Sequence, residues 1–146
     1  MDNNIIKATK NDAKTLERIF SIFYRAELKW SKDKIIDKMR QGREYYIIVE
    51  NGAIELKFEN MKCELVAIAT NPQRRGRGSQ LVQFAENLAR ERNCKKIWCY
   101  TLEVNQASEF YRKMGWIKEE FIPDFFDGYG CFKFGKELKQ NGRQIS

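Results

Sequence analysis

The pattern of apolar and polar positions predicts a strand followed by two helices at the start of the chain. Ile5-Ile6 predicts a short strand, and Thr9-Lys10-Asn11-Asp12 predicts a capping box that opens an amphipathic helix. Ser31 is expected to cap a second helix that ends near Gly42. The first helix places four apolar side chains on one side: Leu16, Ile19, Phe20 and Phe23.

Strand patterns dominate the middle of the chain. Residues 44–50 and 53–58 flank Asn51-Gly52, a dipeptide that favours a tight hairpin. Residues 63–70 predict a buried strand, and a glycine-containing loop then leads into a helix of about 14 residues with one apolar face. Lys96 to Thr101 predicts the next strand. A strand–helix–strand unit of this kind predicts two parallel strands.

A short helix and a hairpin complete the predicted order. The helix stops at Gly115, and strands are expected at Trp116–Ile122 and Gly130–Leu138. Residues from about 139 to 146 are polar and predict a frayed tail. The order β-α-α-β-β-β-α-β-α-β-β predicts one α/β domain over residues 1–146, a central mixed sheet flanked by helices.

Histidine is absent from the 146 residues. This excludes Ser-His-Asp and Cys-His catalysis and every histidine-based metal site, and we expect no metal. The cysteines show no C-x-x-C spacing, and three of them lie in apolar alternating segments, so we expect reduced structural thiols. They are Cys63, Cys94, Cys99 and Cys131.

The net charge of +7 attracts polyanions, which include phosphorylated cofactors, nucleic acids and acidic proteins. Charge by itself does not choose among these partners. The sequence contains no apolar run near the roughly 18 residues that a membrane span needs. The polar N-terminus, Met1 to Asn4, lacks the plan of a signal peptide, and we therefore expect a cytoplasmic protein with no membrane partner.

The loop between the buried strand and the long helix predicts an anion site. Gly76 and Gly78 open the helix, where outward backbone N–H groups and the helix dipole favour negative charge. Glycine also permits close approach of a ligand to the backbone. Arg74, Arg75 and Arg77 add positive charge with a geometry that suits phosphate. The alternative is an ordinary turn with solvent-facing arginines.

Two nucleotide-binding interpretations of this loop fit poorly. A P-loop requires a lysine before Ser or Thr, and no lysine stands there. A dinucleotide fingerprint requires a third glycine where Leu81 stands, and an acidic residue at the end of the next strand. That strand end, Trp98 to Thr101, carries no acidic residue.

Two motifs resemble those of the GNAT superfamily of N-acetyltransferases. The stretch from Ile68 to Gly78 resembles its acyl-CoA-binding motif, Q/R-x-x-G-x-G/A, and Asn105 to Trp116 resembles its second signature, N-x-x-A-x-x-F-Y-x-x-x-G-[FW]. The order of elements over residues 5–138 is also similar. Ser79 and Gln80 depart from the family, which has an aliphatic and then a small residue there; Ser79 can still donate to a phosphate.

The resemblance implies an acyl-CoA-dependent N-acyltransferase that uses acetyl-CoA as cosubstrate and transfers acetyl by direct attack of an amine. It implies that Tyr111 protonates the leaving thiolate and that Glu64, or ordered water, deprotonates the amine. Tyr111 as a core aromatic and Glu64 as an ordinary surface residue are the alternatives. The implied cofactor-binding residues are Ile68, Ala69, Thr70, Gln73, Arg74, Arg75, Gly76, Arg77, Gly78, Ser79, Asn105 and Tyr111.

The acceptor is not identified by the sequence. Acidic residues interleaved with phenylalanines near the C-terminus suggest a pocket for a cationic amine; they are Glu119, Glu120, Asp124 and Asp127. The acceptor classes are a small amine, a protein amine and an RNA amine, and the chain is expected to be a monomer or a homodimer. Two other functions stay open: a basic nucleic-acid-binding module, and a catalytically silent protein that binds coenzyme A.

Overall fold

The computed structural model describes residues 4–48, 52–70 and 76–139. The elements are β1 Ile5–Lys7, α1 Ala13–Phe20, α2 Lys32–Arg40, β2 Glu44–Ile48, β3 Gly52–Glu59, β4 Lys62–Thr70, α3 Arg77–Glu91, β5 Lys96–Leu102, α4 Ser108–Lys113, β6 Ile117–Phe126 and β7 Tyr129–Glu137. Single turns of 3-10 helix lie at Lys10–Asp12, Ala26–Leu28 and Glu103–Asn105. The predicted order of helices and strands is confirmed.

The strands form one mixed sheet in the order β1-β2-β3-β4-β5-β7-β6. β4 and β5 run parallel, with Cys63 beside Ile97 and Glu64 beside Trp98. The hairpins β2–β3 and β6–β7 are antiparallel. The α/β fold class is therefore confirmed.

The chain divides into two compact units. The first contains residues 1–57 and 66–85, and the second contains residues 58–65 and 86–146. Each unit is described by itself below. The extent of the domain, residues 1–146, stays a prediction, and the expected tail past residue 139 lies outside the described residues.

Local capping signals fix the first helices of the first unit. The Thr9 backbone N–H donates to the Asp12 carboxylate at 2.8 Å, and the Asn11 N–H donates to the Thr9 hydroxyl at 3.3 Å. This capping box closes the 3-10 turn that leads into α1. The Ser31 hydroxyl accepts from the Lys34 N–H at 3.4 Å and opens α2. Both caps lie where the sequence predicts them.

Helices cover both faces of the sheet in the first unit. Successive residues of a strand point to opposite faces. Tyr45 of β2 meets Phe20 of α1, with ring centroids 6.3 Å apart, whereas Tyr46 meets Phe84 of α3 at 4.8 Å. The core on the α1 side contains Ala8, Ala13, Leu16, Ile19, Phe20, Ile35, Tyr45, Ala53, Ala67 and Ala69.

A buried carboxylate fastens the segment between α1 and α2 to the sheet. Glu55 of β3 is 0% exposed and forms an ion pair with Arg43. It also accepts from the Trp30 indole N–H at 2.7 Å. Trp30 in turn packs against the rings of Phe20 and Phe23. The apolar core of α1 is thus completed by a tryptophan whose orientation depends on one glutamate.

The second unit contains the β5–β7–β6 part of the sheet. Cys99 of β5 lies opposite Phe134 of β7, and Tyr100 lies opposite Lys133. The predicted end of β6 at Ile122 is wrong, because the strand resumes after an irregularity and reaches Phe126. Pairing across the tight β6–β7 turn extends the strand beyond the point where the sequence pattern changes.

We expect Glu55→Ala to lower the free energy of unfolding by about 3–5 kcal/mol, because it leaves the half-buried Arg43 charge and the Trp30 N–H without their partner. Urea unfolding followed by circular dichroism measures this loss. Asp37→Ala is the matched control, since Asp37 pairs with Arg40 at the surface, where both side chains are more than half exposed. The free energy of unfolding of Asp37→Ala should fall by at most about 1 kcal/mol. Equal losses in Glu55→Ala and Asp37→Ala would contradict the role of burial.

Candidate functional site

The described part of the glycine loop begins at Gly76. Gln73, Arg74 and Arg75 lie outside the described residues, so their roles stay predictions. Gly76 has a φ of +90°, a conformation that side chains with a Cβ rarely adopt, and no atom of the described residues lies within 4 Å of the position that a Cβ would take. The backbone conformation therefore explains why residue 76 is a glycine, and the described residues leave the space beside it open.

Helix α3 starts directly after Gly76. The Gly76 carbonyl oxygen accepts from the Gln80 N–H at 2.9 Å and from the Ser79 hydroxyl at 3.2 Å. By helix geometry, the N–H groups at the first turn, including those of Gly78 and Ser79, precede the first i→i−4 hydrogen bond, and the helix dipole gives this end partial positive charge. Such an end can bind a phosphate.

The last residues of β4 are the predicted pantetheine-binding strand. Ala69 is buried, whereas Ile68 and Thr70 are half-buried. Gly52 of β3 lies against this strand end, because a Cβ there would be 3.3 Å from the Thr70 methyl group and 2.5 Å from Ile48. The sequence suggested a turn as the reason for Gly52; close packing is a second reason that sequence reasoning missed.

Glu64 lies on a partly open face of the second unit. It is half-buried and stands beside Trp98 of β5 in the parallel register. Trp98 and Tyr100 share this face, with ring centroids 5.0 Å apart, and Tyr100 is 38% exposed. The structure therefore places Glu64 beside aromatic side chains that solvent reaches, an environment compatible with either interpretation of this residue.

Tyr111 lies inside the second unit, enclosed by three aromatic rings. The ring centroids of Phe110, Phe134 and Trp116 are 5.1, 5.6 and 5.0 Å from its own. Tyr111 is 3% exposed, and burial followed by the neighbouring Cys99 thiol raises the pKa of its phenol well above the ordinary value. The phenol therefore stays protonated at neutral pH, so a proton is present for a leaving group, while the raised pKa also makes Tyr111 a weaker acid than an exposed tyrosine.

The Cys99 thiol is hydrogen-bonded to the Tyr111 hydroxyl. Burial raises the pKa of the Cys99 thiol to about 12, and a hydrogen bond with the Tyr111 hydroxyl acts in the opposite direction. All four cysteines are buried and free, so the expectation of reduced thiols is confirmed in this structure. A thiol of this pKa is a poor nucleophile at neutral pH.

Sequence reasoning missed a buried glutamate that binds Trp116, one of the rings packed against Tyr111. Glu86 of α3 is 1% exposed and accepts from the Trp116 indole N–H at 2.9 Å and from the Lys136 ammonium at 3.0 Å. The available signal was its spacing, because Glu86 lies four residues after the buried Val82 on the apolar side of the helix.

Asn105 ends the 3-10 turn that precedes α4 and is exposed. Gln106 follows with a left-handed φ of 55°. The turn is held to the β6–β7 hairpin by Glu103, which accepts from the Gly130 N–H at 3.2 Å. The predicted role of Asn105 in binding the cofactor stays a prediction.

The acidic residues of the proposed acceptor pocket have structural roles. Glu119 pairs with Lys96 at 2.8 Å. Asp124 and Asp127 both have a φ of 51°, a left-handed conformation in which aspartate is enriched. Asp127 and Gly128 form the tight turn of the β6–β7 hairpin. The hairpin turn thus accounts for Asp127, and the irregularity of β6 between Ile122 and Phe126 accounts for Asp124, so both aspartates have a structural explanation besides their charge.

Within residues 4–48, 52–70 and 76–139, no cluster of three or more cysteine, aspartate or glutamate side chains could hold a metal ion. In the same part of the chain, no helix has the length and apolar character needed to cross a membrane.

Comparison with known families identifies the chain. The model of the Acetyltransferase (GNAT) family matches residues 13–116, well over half of the sequence. The chain belongs to the GNAT family of acetyltransferases. This match confirms the resemblance and the class of enzyme that the two motifs implied.

Solved structures show the same fold at low sequence identity. The ribosomal-protein-S18-alanine N-acetyltransferase from Escherichia coli has a TM-score of 0.81 at 16% identity, covering 97% of each chain. Ard1 from Thermoplasma volcanium has a TM-score of 0.76 at 20% identity, over 92% of this chain and 97% of its own. PaiA N-acetyltransferase from Thermoplasma acidophilum, solved with coenzyme A, has a TM-score of 0.71 at 20% identity, over 92% of this chain and 98% of its own.

A curated sequence, the uncharacterized protein YxbD from Bacillus subtilis (strain 168), is 36% identical over 66 residues. That match spans 44% of this chain and 42% of YxbD.

Alkaline pH should destabilise the fold through its buried tyrosines. Burial raises the pKa of Tyr45 and of Tyr111, so the folded state keeps protons that the unfolded chain releases near its ordinary tyrosine pKa of about 10. Their contribution is complete below pH 10 and is lost above it, by up to about 1.4 kcal/mol per pH unit for each tyrosine. Tyr111→Phe should reduce this slope in urea unfolding measured from pH 8 to 11, and a slope equal to that of the wild type would contradict it.

Proposed function

We propose that this protein is an N-acetyltransferase that transfers acetyl from acetyl-CoA to an amine acceptor. The observation that carries the proposal is the start of α3, where Gly76 adopts its left-handed conformation and the helix begins at the next residue. This end offers backbone N–H groups to a pyrophosphate. Family membership supports the same ligand.

Binding would use the backbone more than side chains. The N–H groups of Gly78 and Ser79 would hold the pyrophosphate, with Arg74, Arg75 and Arg77 adding positive charge and Gln73 adding a neutral amide donor. The β4 segment Ile68–Thr70 would hydrogen-bond to the pantetheine arm. A backbone N–H of this segment would polarise the thioester carbonyl, and such a donor contributes roughly 3 kcal/mol to transition-state stabilisation in other enzymes.

Acetyl transfer would proceed by direct attack of the neutral amine on the thioester. Glu64, or a water molecule it orders, would take the proton from the ammonium group of the acceptor. Tyr111 would donate its phenolic proton to the leaving thiolate, and its raised pKa keeps that proton in place until the thiolate forms. The poor nucleophilicity of buried Cys99 argues against an acyl-enzyme.

The identity of the acceptor requires a screen. A peptide that begins with alanine is one probe, because a neighbour in fold is a ribosomal-protein-S18-alanine N-acetyltransferase. Small polyamines and lysine peptides complete the panel, scored by release of free thiol from acetyl-CoA. A cytoplasmic location, the oligomeric state as monomer or homodimer, and the absence of nucleic-acid binding stay predictions.

Thermal denaturation with acetyl-CoA tests the cosubstrate, and Gly76→Asp tests its site. At 100-fold excess over Kd, binding should stabilise the wild type by about 2.7 kcal/mol. Gly76→Asp should abolish this stabilisation, because its carboxylate repels the pyrophosphate. Aspartate tolerates the left-handed backbone better than most residues, so the variant should fold.

Gly42→Asp is the matched control for this substitution. Gly42 also has a positive φ, +99°, and no atom lies within 4 Å of the position of its Cβ. It lies just after α2, in the segment that leads to β2 and away from the start of α3 in the sequence. Normal acetyl-CoA binding by Gly42→Asp and none by Gly76→Asp supports the proposal, whereas full binding by Gly76→Asp moves the site elsewhere.

Tyr111→Phe should lower turnover by about 10²- to 10⁴-fold, the usual contribution of a general acid, while acetyl-CoA affinity stays within twofold. Turnover is measured by thiol release with an acceptor from the screen, and affinity by calorimetry. Tyr129→Phe, at an exposed position in the second unit, is the control and should retain wild-type turnover. An active Tyr111→Phe variant would leave Tyr111 as a core aromatic.

A further inference from the structure

In the second unit, the buried Glu86 carboxylate binds side chains from α3, from β7 and from the loop between α4 and β6. One oxygen accepts from the Trp116 indole N–H at 2.9 Å, and the other accepts from the Lys136 ammonium at 3.0 Å. Arg90, one turn further along α3, lies 3.8 Å from the same carboxylate. A buried carboxylate is costly to desolvate, and these donors offset that cost only in the correct geometry. The geometry of the indole is therefore fixed.

The indole held by Glu86 is part of the enclosure of Tyr111. Trp116 packs against the Tyr111 ring with centroids 5.0 Å apart and an interplanar angle of 43°. Phe134 stacks on Tyr111 at 5.6 Å with an angle of 29°. Because the indole N–H is anchored, Trp116 cannot rotate away from Tyr111 without giving up its bond to Glu86.

A second connection runs from Glu86 to the end of α4. Lys136 donates to the Met114 carbonyl oxygen at 3.1 Å while it binds Glu86. Met114 is the C-terminal cap of α4, the helix that carries Tyr111. The Trp116 N–H of the backbone also donates to the Tyr111 carbonyl oxygen at 3.0 Å. Both the helix end and the ring of Tyr111 thus depend on contacts that meet at Glu86.

We propose that Glu86 is a positioning residue that sets the orientation of the Tyr111 phenol through Trp116 and Lys136. The proposal rests on the proposed function, in which Tyr111 donates a proton to the thiolate of coenzyme A. Glu86 does not contact the Tyr111 hydroxyl; it acts through the indole and the helix end. Apolar side chains of similar volume would fill the same space, but they would not fix the rotation of an indole.

Loss of the anchor has a spectroscopic consequence. When Trp116 is released, water reaches the phenol, the desolvation that raises its pKa decreases, and Tyr111 ionises at lower pH. The titratable and charged groups of the neighbouring elements are Glu64, Glu86, Arg90, Cys99, Cys131 and Lys136. Because Glu86 is itself one of these charges, its substitution changes both the local charge and the anchor of the indole. A variant that removes the charge and keeps an oxygen acceptor separates the two effects.

The test follows the Tyr111 resonance in protein labelled with ¹³Cζ-tyrosine, assigned by its absence in Tyr111→Phe. Glu86→Leu should shift this resonance and lower the pH at which it titrates, and Trp116→Phe should do the same because it keeps a ring and removes the donor. Glu86→Gln, which keeps an oxygen acceptor for the Trp116 indole N–H and leaves the Lys136 contact with the Met114 carbonyl in place, should retain the wild-type resonance. Glu119→Leu, which breaks the Lys96 pair in the same unit, is the control and should leave the resonance unchanged.

The second measurement is the steady-state kinetics of acetyl transfer, with the acceptor that the thiol-release screen identifies. Glu86→Leu and Trp116→Phe should lower kcat by about 10- to 100-fold, as small displacements of catalytic groups do, with acetyl-CoA Kd within twofold. Unchanged Tyr111 resonances in both folded variants would overturn the proposal; if Glu86→Leu does not fold, Trp116→Phe decides. A wild type that binds no acetyl-CoA would overturn the proposed function instead, and the resonance would still decide the role of Glu86.

Discussion

A carboxylate that leaves water must find donors inside the protein, and this requirement organises both compact units. Glu55 meets it in the first unit with Arg43 and Trp30, and Glu86 meets it in the second with Lys136 and Trp116. In each case, an indole N–H is one of the donors. The tryptophan of each unit is thereby held in one orientation against a cluster of aromatic rings, which uniform apolar packing would not ensure.

The elements of the fold could be predicted from the sequence because their signals are local. The Thr9 capping box and the Ser31 cap each lie within about four residues. The apolar stripe of α3 repeats at steps of three and four residues, the spacing over which side chains on a helix contact each other. The end of β6 could not be predicted in this way. Pro123 and the register shift between Ile122 and Phe126 interrupt the alternating pattern, so the pattern stops four residues before the strand does.

The candidate site was predicted in part for the same reason. Gly76 and Gly78 could be recognised because the conformation of a loop and the start of a helix are written in neighbouring residues. Glu86 carries a weak signal, an acidic residue on an apolar helix face, but its partner Trp116 stands 30 residues away and Lys136 stands 50 away. The charge of Asp124 suggested an acceptor pocket, which stays a prediction, and its left-handed backbone is a structural explanation that the sequence did not reveal.

The burial of all four thiols has a practical consequence for enzymology. Burial raises the pKa of Cys94, of Cys99 and of Cys131, and Cys63 is fully enclosed. Disulfide reagents react with exposed thiolates, so the folded protein presents little competing sulfur to a colorimetric reagent. The colour that develops during turnover then measures the coenzyme A that is released. A slow additional increase in colour would report that the protein unfolds and exposes its thiols. A single assay therefore measures both turnover and the loss of folded enzyme.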